Sequence, residues 1–169
     1  MDSKVIYPPE SVLMFGDILL KAKGSPMNTL TKIKTWSDVS HSELYVGRFF
    51  DPLNSQVITA FPSNGVNFYP FKLDNTLYIL RPKMLPSPEG FHWFQKEAQG
   101  QKYDYLGMAA FVFAQLQGGD NGKQFCSEVI ARIFKKGGYP LLHPRVDADA
   151  YAPSSFKTSP LVDYIWEAP

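Results

Sequence analysis

The sequence predicts a single α+β domain in which an antiparallel β-sheet of about five strands packs against helices. The chain has 169 residues, enough for one hydrophobic core, and 44% of them are hydrophobic, which excludes a disordered chain. Short β-forming segments separated by tight turns fill the first half, and helical spacing of apolar residues begins near residue 88. Strands followed by helices are typical of the α+β class. We therefore assign residues 1–169 to one domain.

The predicted strands lie between glycine and proline turns. A turn at residues 15–17 precedes an apolar run ending at residue 22, and residues 24–26 (GSP) break that run. Asn28 or Thr29 is expected to cap a short helix that ends near Trp36. A polar loop then leads into a strand over 41–47, a hairpin joins strands over 56–61 and 66–71 through residues 62–65 (PSNG), and a last strand covers 77–82.

Three helices are expected after residue 88. Phe91, Trp93, Phe94 and Ala98 mark an amphipathic helix, and a second, almost wholly apolar helix runs from about residue 103 to residue 117. A glycine-rich loop, residues 118–122, separates it from the third helix. The tail has many prolines and two short segments, 154–156 and 161–166, to which we assign no strand or helix.

The third predicted helix contains the only cysteine of the chain, Cys126. Cys126, Val129, Ile130 and Ile133 follow the i, i+3, i+4, i+7 pattern of one apolar helical face, so the sulfur is expected in the first turn and on the inward side. Free N–H groups and the helix dipole favour an anion at that place, which lowers the pKa of a thiol and makes it a better nucleophile. A free cysteine is also often a small buried hydrophobe, so the catalytic interpretation needs a histidine elsewhere in the chain.

Three histidines are candidates for that partner. His41 opens the strand over 41–47 and shares one of its faces with Glu43 and Tyr45, an unusual set of side chains for a solvated face. His92 lies in the first amphipathic helix and is interpreted as structural or partly exposed, and His143 is a loop residue near the tail. An imidazole at a strand end can meet a thiol at a helix start and form a Cys–His pair, so His41 is the predicted partner of Cys126 and His143 is the next candidate.

Composition excludes several other functions. The 17 basic and 16 acidic residues give a net charge of +1, which provides no electrostatic footprint for nucleic acid. The sequence has no zinc-type cluster of Cys and His, and no apolar segment long enough for a transmembrane segment. The N-terminus lacks the apolar core of a signal peptide, so we expect a cytoplasmic protein, with a phage-encoded or delivered protein as the alternative.

Four motifs, in order, resemble the permuted papain-fold cysteine hydrolases of the NlpC superfamily, which include the YiiX-like and lecithin retinol acyltransferase-like branches. They are residues 16–18 (GDI), 40–47 (SHSELYVG), 103–107 (YDYLG) and 125–129 (FCSEV). In these proteins the histidine strand precedes the cysteine helix, the reverse of papain, and this chain has that order. The resemblance spans roughly residues 15 to 135 and implies a circularly permuted papain-like fold with Cys126 and His41 as catalytic residues.

The chain departs from that family at the third catalytic group. The family usually has Glu or His on the strand after the histidine strand, and the matching position here is Thr59. Threonine accepts a hydrogen bond from an imidazole N–H but supplies no charge. Glu43 is the alternative third group, since it lies two residues from His41 on the same strand face, and it could equally contact substrate or solvent.

The resemblance implies a cysteine peptidase or amidase that cleaves a peptide or peptidoglycan-stem amide through an acyl-enzyme, with no metal or organic cofactor. The nearest rival is an acyltransferase, lipase or thioesterase that uses the same pair of residues on a lipid or thioester substrate. A rival of another class is a catalytically inactive binding module or a structural protein, and the departure at Thr59 favours it. The sequence makes no prediction of the oligomeric state.

Overall fold

The computed structural model describes residues 10–22, 38–103, 123–124, 126–142 and 151–169. The predicted helix from Asn28 or Thr29 to Trp36, nearly all of the predicted helix over 103–117, and His143 lie outside these ranges. The described part is an α+β fold in which an antiparallel sheet packs against helices, as the sequence predicts. Its helices α1 (Pro88–Trp93) and α2 (Cys126–Lys136) contact each other.

In the described part of the chain the main sheet has six strands, where the sequence predicts about five. They are β1 (Ile18–Lys21), β2 (His41–Gly47), β3 (Gln56–Phe61), β4 (Gly65–Pro70), β5 (Thr76–Pro82) and β8 (Val162–Glu167). Their order is β4-β3-β2-β1-β5-β8, and all neighbours are antiparallel. The additional strand, β8, comes from the tail and pairs with β5, which lies 80 or more residues earlier in the chain, a contact that no local pattern shows. A separate two-stranded parallel ladder joins β6 (Lys102–Tyr103) to β7 (Lys123–Gln124).

Both faces of the sheet are covered, although to different extents. Helix α2 covers one face, where its apolar residues form the larger of the two core clusters with side chains of β2 and β3. The opposite face carries a smaller apolar cluster, completed by partly buried side chains that include Tyr69 and Trp166. Polar residues of β2 that would be exposed on a one-sided sheet are therefore buried. Six of the seven residues of this strand are buried.

The helix predicted from Phe91 to Ala98 begins earlier and changes form. Helix α1 starts at Pro88, whose fixed φ suits the first helical position, and a π-helical turn continues it over Phe94–Ala98. Gly90 faces α2 so closely that a Cβ there would lie 2.2 Å from the Ile133 carbonyl oxygen. The tail folds into a 3-10 helix, Pro153–Thr158, before β8. In the part of the chain that the structure describes, no helix has the length and apolar character of a membrane span.

Candidate active site

Cys126 is the first residue of α2, as predicted, and its side chain is buried with 1% of its surface exposed. Val129, Ile130 and Ile133 share its inward helical face and are fully buried, which fixes the rotation of the helix about its axis. The next residue anchors the helix start, because the Ser127 hydroxyl donates a hydrogen bond to the Tyr151 carbonyl oxygen. The start of α2, which carries the thiol, is thus held by the packing of the inward face and by the hydrogen bond of Ser127.

His41 is the first residue of β2 and meets Cys126, so the structure brings the predicted pair together. The imidazole and the thiol lie close enough for each to shift the pKa of the other through its charge and through hydrogen bonding. The ring stacks on Phe61 with the centroids 4.8 Å apart and the planes 19° apart. It is 4% exposed. Stacking and burial leave the imidazole little freedom to turn away from the sulfur.

Glu43 and Thr59, the two candidates for the third group, both contact the same nitrogen of His41. Thr59 Oγ1 lies 3.3 Å from Nε2, and Glu43 Oε1 lies 3.4 Å from it. The Thr59 hydroxyl donates its proton to the Ser42 carbonyl oxygen at 2.7 Å, so toward the imidazole it can only accept. Nε2 is therefore the protonated nitrogen of the neutral ring, and its N–H is shared between a hydroxyl and a carboxylate.

The pKa values of the thiol and the imidazole move in the directions that favour an ion pair. Burial alone would raise the pKa of Cys126, but the charge and hydrogen bond of His41, with hydrogen bonds from Ser42, bring it below its ordinary value. Burial alone would lower the pKa of His41, but the Cys126 thiolate and the Glu43 carboxylate outweigh it and raise the pKa. A thiolate facing an imidazolium is the nucleophilic form of such a pair.

Ser42 is a residue near the sulfur that the sequence analysis did not select. Its backbone N–H and its hydroxyl both help to lower the pKa of the thiol. That hydroxyl is fully buried and has no hydrogen-bond partner of good geometry among the described residues. Nothing in the sequence distinguishes this serine, because its role depends on the place where the helix meets the strand.

Lys21 is a second residue that the sequence analysis missed. It ends β1 opposite His41, and it is 1% exposed. Its Nζ lies 2.9 Å from Oε2 of Glu43. The available signal in the sequence is a lysine at the end of an apolar run, which the pattern of that run predicts only to be a strand residue.

The other histidine within the described ranges is remote from this site. His92 lies in α1, is exposed, and lines an apolar cleft of about 310 Å³ together with Phe15, Phe49, Phe50 and Phe91 among others. Phe49 and Phe50 follow the end of β2, whereas His41 begins that strand, so about 20 Å separates the two places at roughly 3.3 Å per residue. The cleft is not part of the Cys126 site.

Comparison with known proteins identifies a similar fold but no family. No family model matches the sequence, and no curated protein matches it. Among solved structures, the chain is similar to a crystal structure of the metalloprotein YiiX from Escherichia coli O157:H7, a DUF1105 protein, with a TM-score of 0.65. The two share 17% identity over 91% of this chain and 97% of YiiX. The likeness shows a YiiX-like fold, at an identity that carries no function with it.

Proposed function

We propose that this protein is a cysteine hydrolase of the permuted papain type, which cleaves an acyl bond through a covalent intermediate on Cys126. One observation supports this most strongly: the buried thiol at the start of α2 lies close enough to His41 for each to shift the pKa of the other, and two acceptors contact Nε2 of that imidazole. Nucleophile, base and orienting group are the three parts of such a site.

The proposed reaction has two steps. The Cys126 thiolate attacks the substrate carbonyl carbon, and the tetrahedral intermediate expels the leaving group, which takes a proton from His41. The neutral imidazole then removes a proton from water, the resulting hydroxide attacks the thioester, and the thiolate leaves. Since Nε2 is engaged by Thr59 and Glu43, the proton moves through Nδ1 in both steps.

The oxyanion of each tetrahedral intermediate needs hydrogen-bond donors. We assign this role to the first N–H groups of α2, including that of Cys126, because they have no partner within the helix and lie at the positive end of its dipole. A substrate carbonyl attacked by the sulfur would place its oxygen near these groups.

The leading substrate class is an amide of a peptide or of a peptidoglycan stem, following the family that the motifs resemble. The rival acyltransferase, lipase or thioesterase would require an apolar groove beside Cys126. An aromatic cleft that the described residues form lies at the other end of β2, away from His41. The alternative that the protein is an inactive module depends on the absence of an acidic residue at position 59. The contacts of Thr59 and Glu43 with Nε2 of His41 weaken this alternative, because they supply an orienting group.

A bound metal is a second hypothesis, because YiiX is described as a metalloprotein. Within the described ranges, no group of three or more His, Cys, Asp and Glu residues is arranged to hold a metal ion. At the Cys126 site the Lys21 ammonium already faces the Glu43 carboxylate at 2.9 Å, which disfavours a second cation. These residues do not fit a metal, and we assign no reaction step to one.

A panel of acyl probes tests the proposal. The protein is incubated with matched amide, ester and thioester substrates, and intact-protein mass spectrometry follows acylation. We expect a transient acyl adduct on Cys126 and release of product, with the amide of a short peptide turned over. The Cys126→Ala variant should keep the fold and show neither adduct nor product. Turnover by that variant near the wild-type rate would contradict the proposal, and turnover of thioesters alone would favour the rival.

A further inference from the structure

Lys21 is a buried charge to which the proposed mechanism gives no role. Only 1% of its side chain is exposed, and it is among the largest fully buried side chains. An ammonium without partners costs several kcal/mol to bury, so its contacts show what keeps it there. Its Nζ donates to the Lys72 carbonyl oxygen at 2.5 Å and lies 2.9 Å from Glu43 Oε2 and 3.5 Å from Asp74 Oδ1.

The two carboxylates near Nζ are not equivalent. Asp74 is 54% exposed, and water screens its charge. Glu43 is 4% exposed and closer, so the ion pair with Lys21 has little screening. The buried negative partner of Lys21 is therefore Glu43, which is also the carboxylate on Nε2 of His41.

Glu43 uses its two oxygens in two directions. Oε1 contacts His41 and Oε2 contacts Lys21, so the carboxylate is held at both ends. The strand pairing sets this geometry, because Lys21 lies opposite His41 and Leu19 lies opposite Glu43 across β1 and β2. The Lys21 ammonium, the Glu43 carboxylate, the His41 ring and the Cys126 sulfur thus lie in a row. Their charges alternate when His41 is protonated and Cys126 is a thiolate.

We infer that Lys21 is a positioning residue for the nucleophile: its ammonium keeps the Glu43 carboxylate ionised and aimed at Nε2 of His41. This inference rests on the proposed function, since it assigns Lys21 a role in the same site. Burial opposes the ionisation of Glu43, and His41 and Lys21 together lower its pKa below the ordinary value. Without Lys21 the buried carboxyl would take up a proton more readily, and a neutral carboxyl stabilises imidazolium much less.

The test is the pH profile of Cys126 alkylation by iodoacetamide, measured on variants of Lys21. Lys21→Met should move the profile to higher pH by about one unit. At a fixed pH on the rising limb, the alkylation rate should then be about tenfold lower than that of the wild type. Lys21→Arg keeps the charge and should move it less. Asp74→Asn removes the exposed partner of Nζ and should leave the profile where it is. The other titratable groups that face the pair, His41 and Cys126, are unchanged in all three variants.

A structural role alone predicts a different result. If Lys21 only compensated its own burial, Lys21→Met would change thermal stability and leave the profile of the folded protein unmoved, which would overturn the inference. The double variant, Lys21→Met in the Glu43→Gln background, supplies a second check. Because we infer that Lys21 acts through the Glu43 carboxylate, Lys21→Met should not shift the alkylation profile further in that background. A full additional shift would also overturn the inference.

A wild-type measurement covers the case in which Lys21→Met does not fold. The ¹³C carboxyl signal of Glu43, identified by its loss in Glu43→Gln, should titrate below the ordinary glutamate value of about 4.3. Titration above that value would overturn the inference. Failure of the proposed function has another signature: the wild-type thiol would then titrate near its ordinary pKa and form no acyl adduct, whatever residue stands at position 21.

Discussion

Thr59 Oγ1 lies 3.3 Å from Nε2 of His41, on the neighbouring strand and with its own proton already donated to the Ser42 carbonyl. A hydroxyl has one proton, so this contact accepts from the ring and fixes the proton on Nε2. Nδ1 is then the basic nitrogen. In the proposed mechanism, Thr59 therefore fixes the tautomer of His41 but supplies no charge to it.

The first prediction concerns that hydroxyl. Thr59→Val keeps the shape of the side chain and removes the oxygen, so kcat should fall about tenfold, whereas Thr59→Ser should stay close to wild type. The valine variant also leaves the buried Ser42 carbonyl without its donor, at about 1–2 kcal/mol of stability. Steady-state kinetics and thermal melts measure the two effects. Equal kcat values for the valine and serine variants would contradict the proposed role of the Thr59 hydroxyl in orienting His41.

The second prediction concerns the carboxylate. Glu43→Gln keeps a group near Nε2 but loses the charge that stabilises imidazolium, so its rate should fall further than that of Thr59→Val. Because both groups hold the same N–H, each one partly compensates for loss of the other. The double variant should therefore lose more than the product of the two single losses. A double loss equal to that product would show that the two groups act independently.

Local pattern predicted the elements that carry the proposed pair. The strand His41–Gly47 and a helix with Cys126 in its first turn are confirmed, because period two and the i, i+3, i+4 pattern are properties of adjacent residues. The sequence left Thr59 and Glu43 as alternatives. The structure places both at Nε2, since β3 and β2 pair there and bring the threonine across.

Nonlocal pairing is what the sequence did not predict. The sixth strand, Val162–Glu167, forms because it pairs with β5, and its own sequence shows only a short apolar segment. Lys21 meets Glu43 through the register of β1 on β2 and through the loop that supplies the Lys72 carbonyl. Such contacts depend on the assembled sheet, so no spacing within one segment could show them.

The third prediction concerns the contact between α1 and α2. Alanine normally stabilises a helix by about 1 kcal/mol relative to glycine. At Gly90 the added Cβ would lie 2.2 Å from the Ile133 carbonyl oxygen, so Gly90→Ala should destabilise the protein by about 1–3 kcal/mol. Gly100→Ala is the control, since its Cβ meets no atom within 4 Å and only its φ of +85° opposes it. A melting temperature of Gly90→Ala at or above wild type would contradict the close packing.

The fourth prediction separates the thiol environment from stability. Ser42→Ala removes a buried hydroxyl that helps to lower the pKa of Cys126 and that has no hydrogen-bond partner of good geometry among the described residues. The pKa of the thiol should therefore rise while the melting temperature changes little, because no partner is left unsatisfied. Alkylation profiles and melts on the same preparations test both halves. A large loss of stability with an unchanged profile would assign the serine to packing instead.

The fifth prediction is the pH dependence of the pair itself. The pKa of Cys126 is lowered, so the thiolate should persist on the acid side of its ordinary pKa, and the midpoint of the alkylation profile should lie below that ordinary value. The pKa of His41 is raised, so imidazolium should persist above its ordinary value of about 6.5. We therefore expect kcat/KM to follow a bell whose two apparent pKa values belong to the coupled thiol and imidazole together.

The denatured chain provides the matched control for this profile. In denaturant the contacts with His41 and Ser42 are lost, and the same cysteine should titrate near its ordinary pKa. The native and denatured profiles should therefore separate, with the native protein reacting at lower pH. His41→Asn should move the folded profile toward the denatured one, because it removes the charge that most opposes the effect of burial on the thiol. Coincident native and denatured profiles would show that the thiol is only a buried apolar side chain.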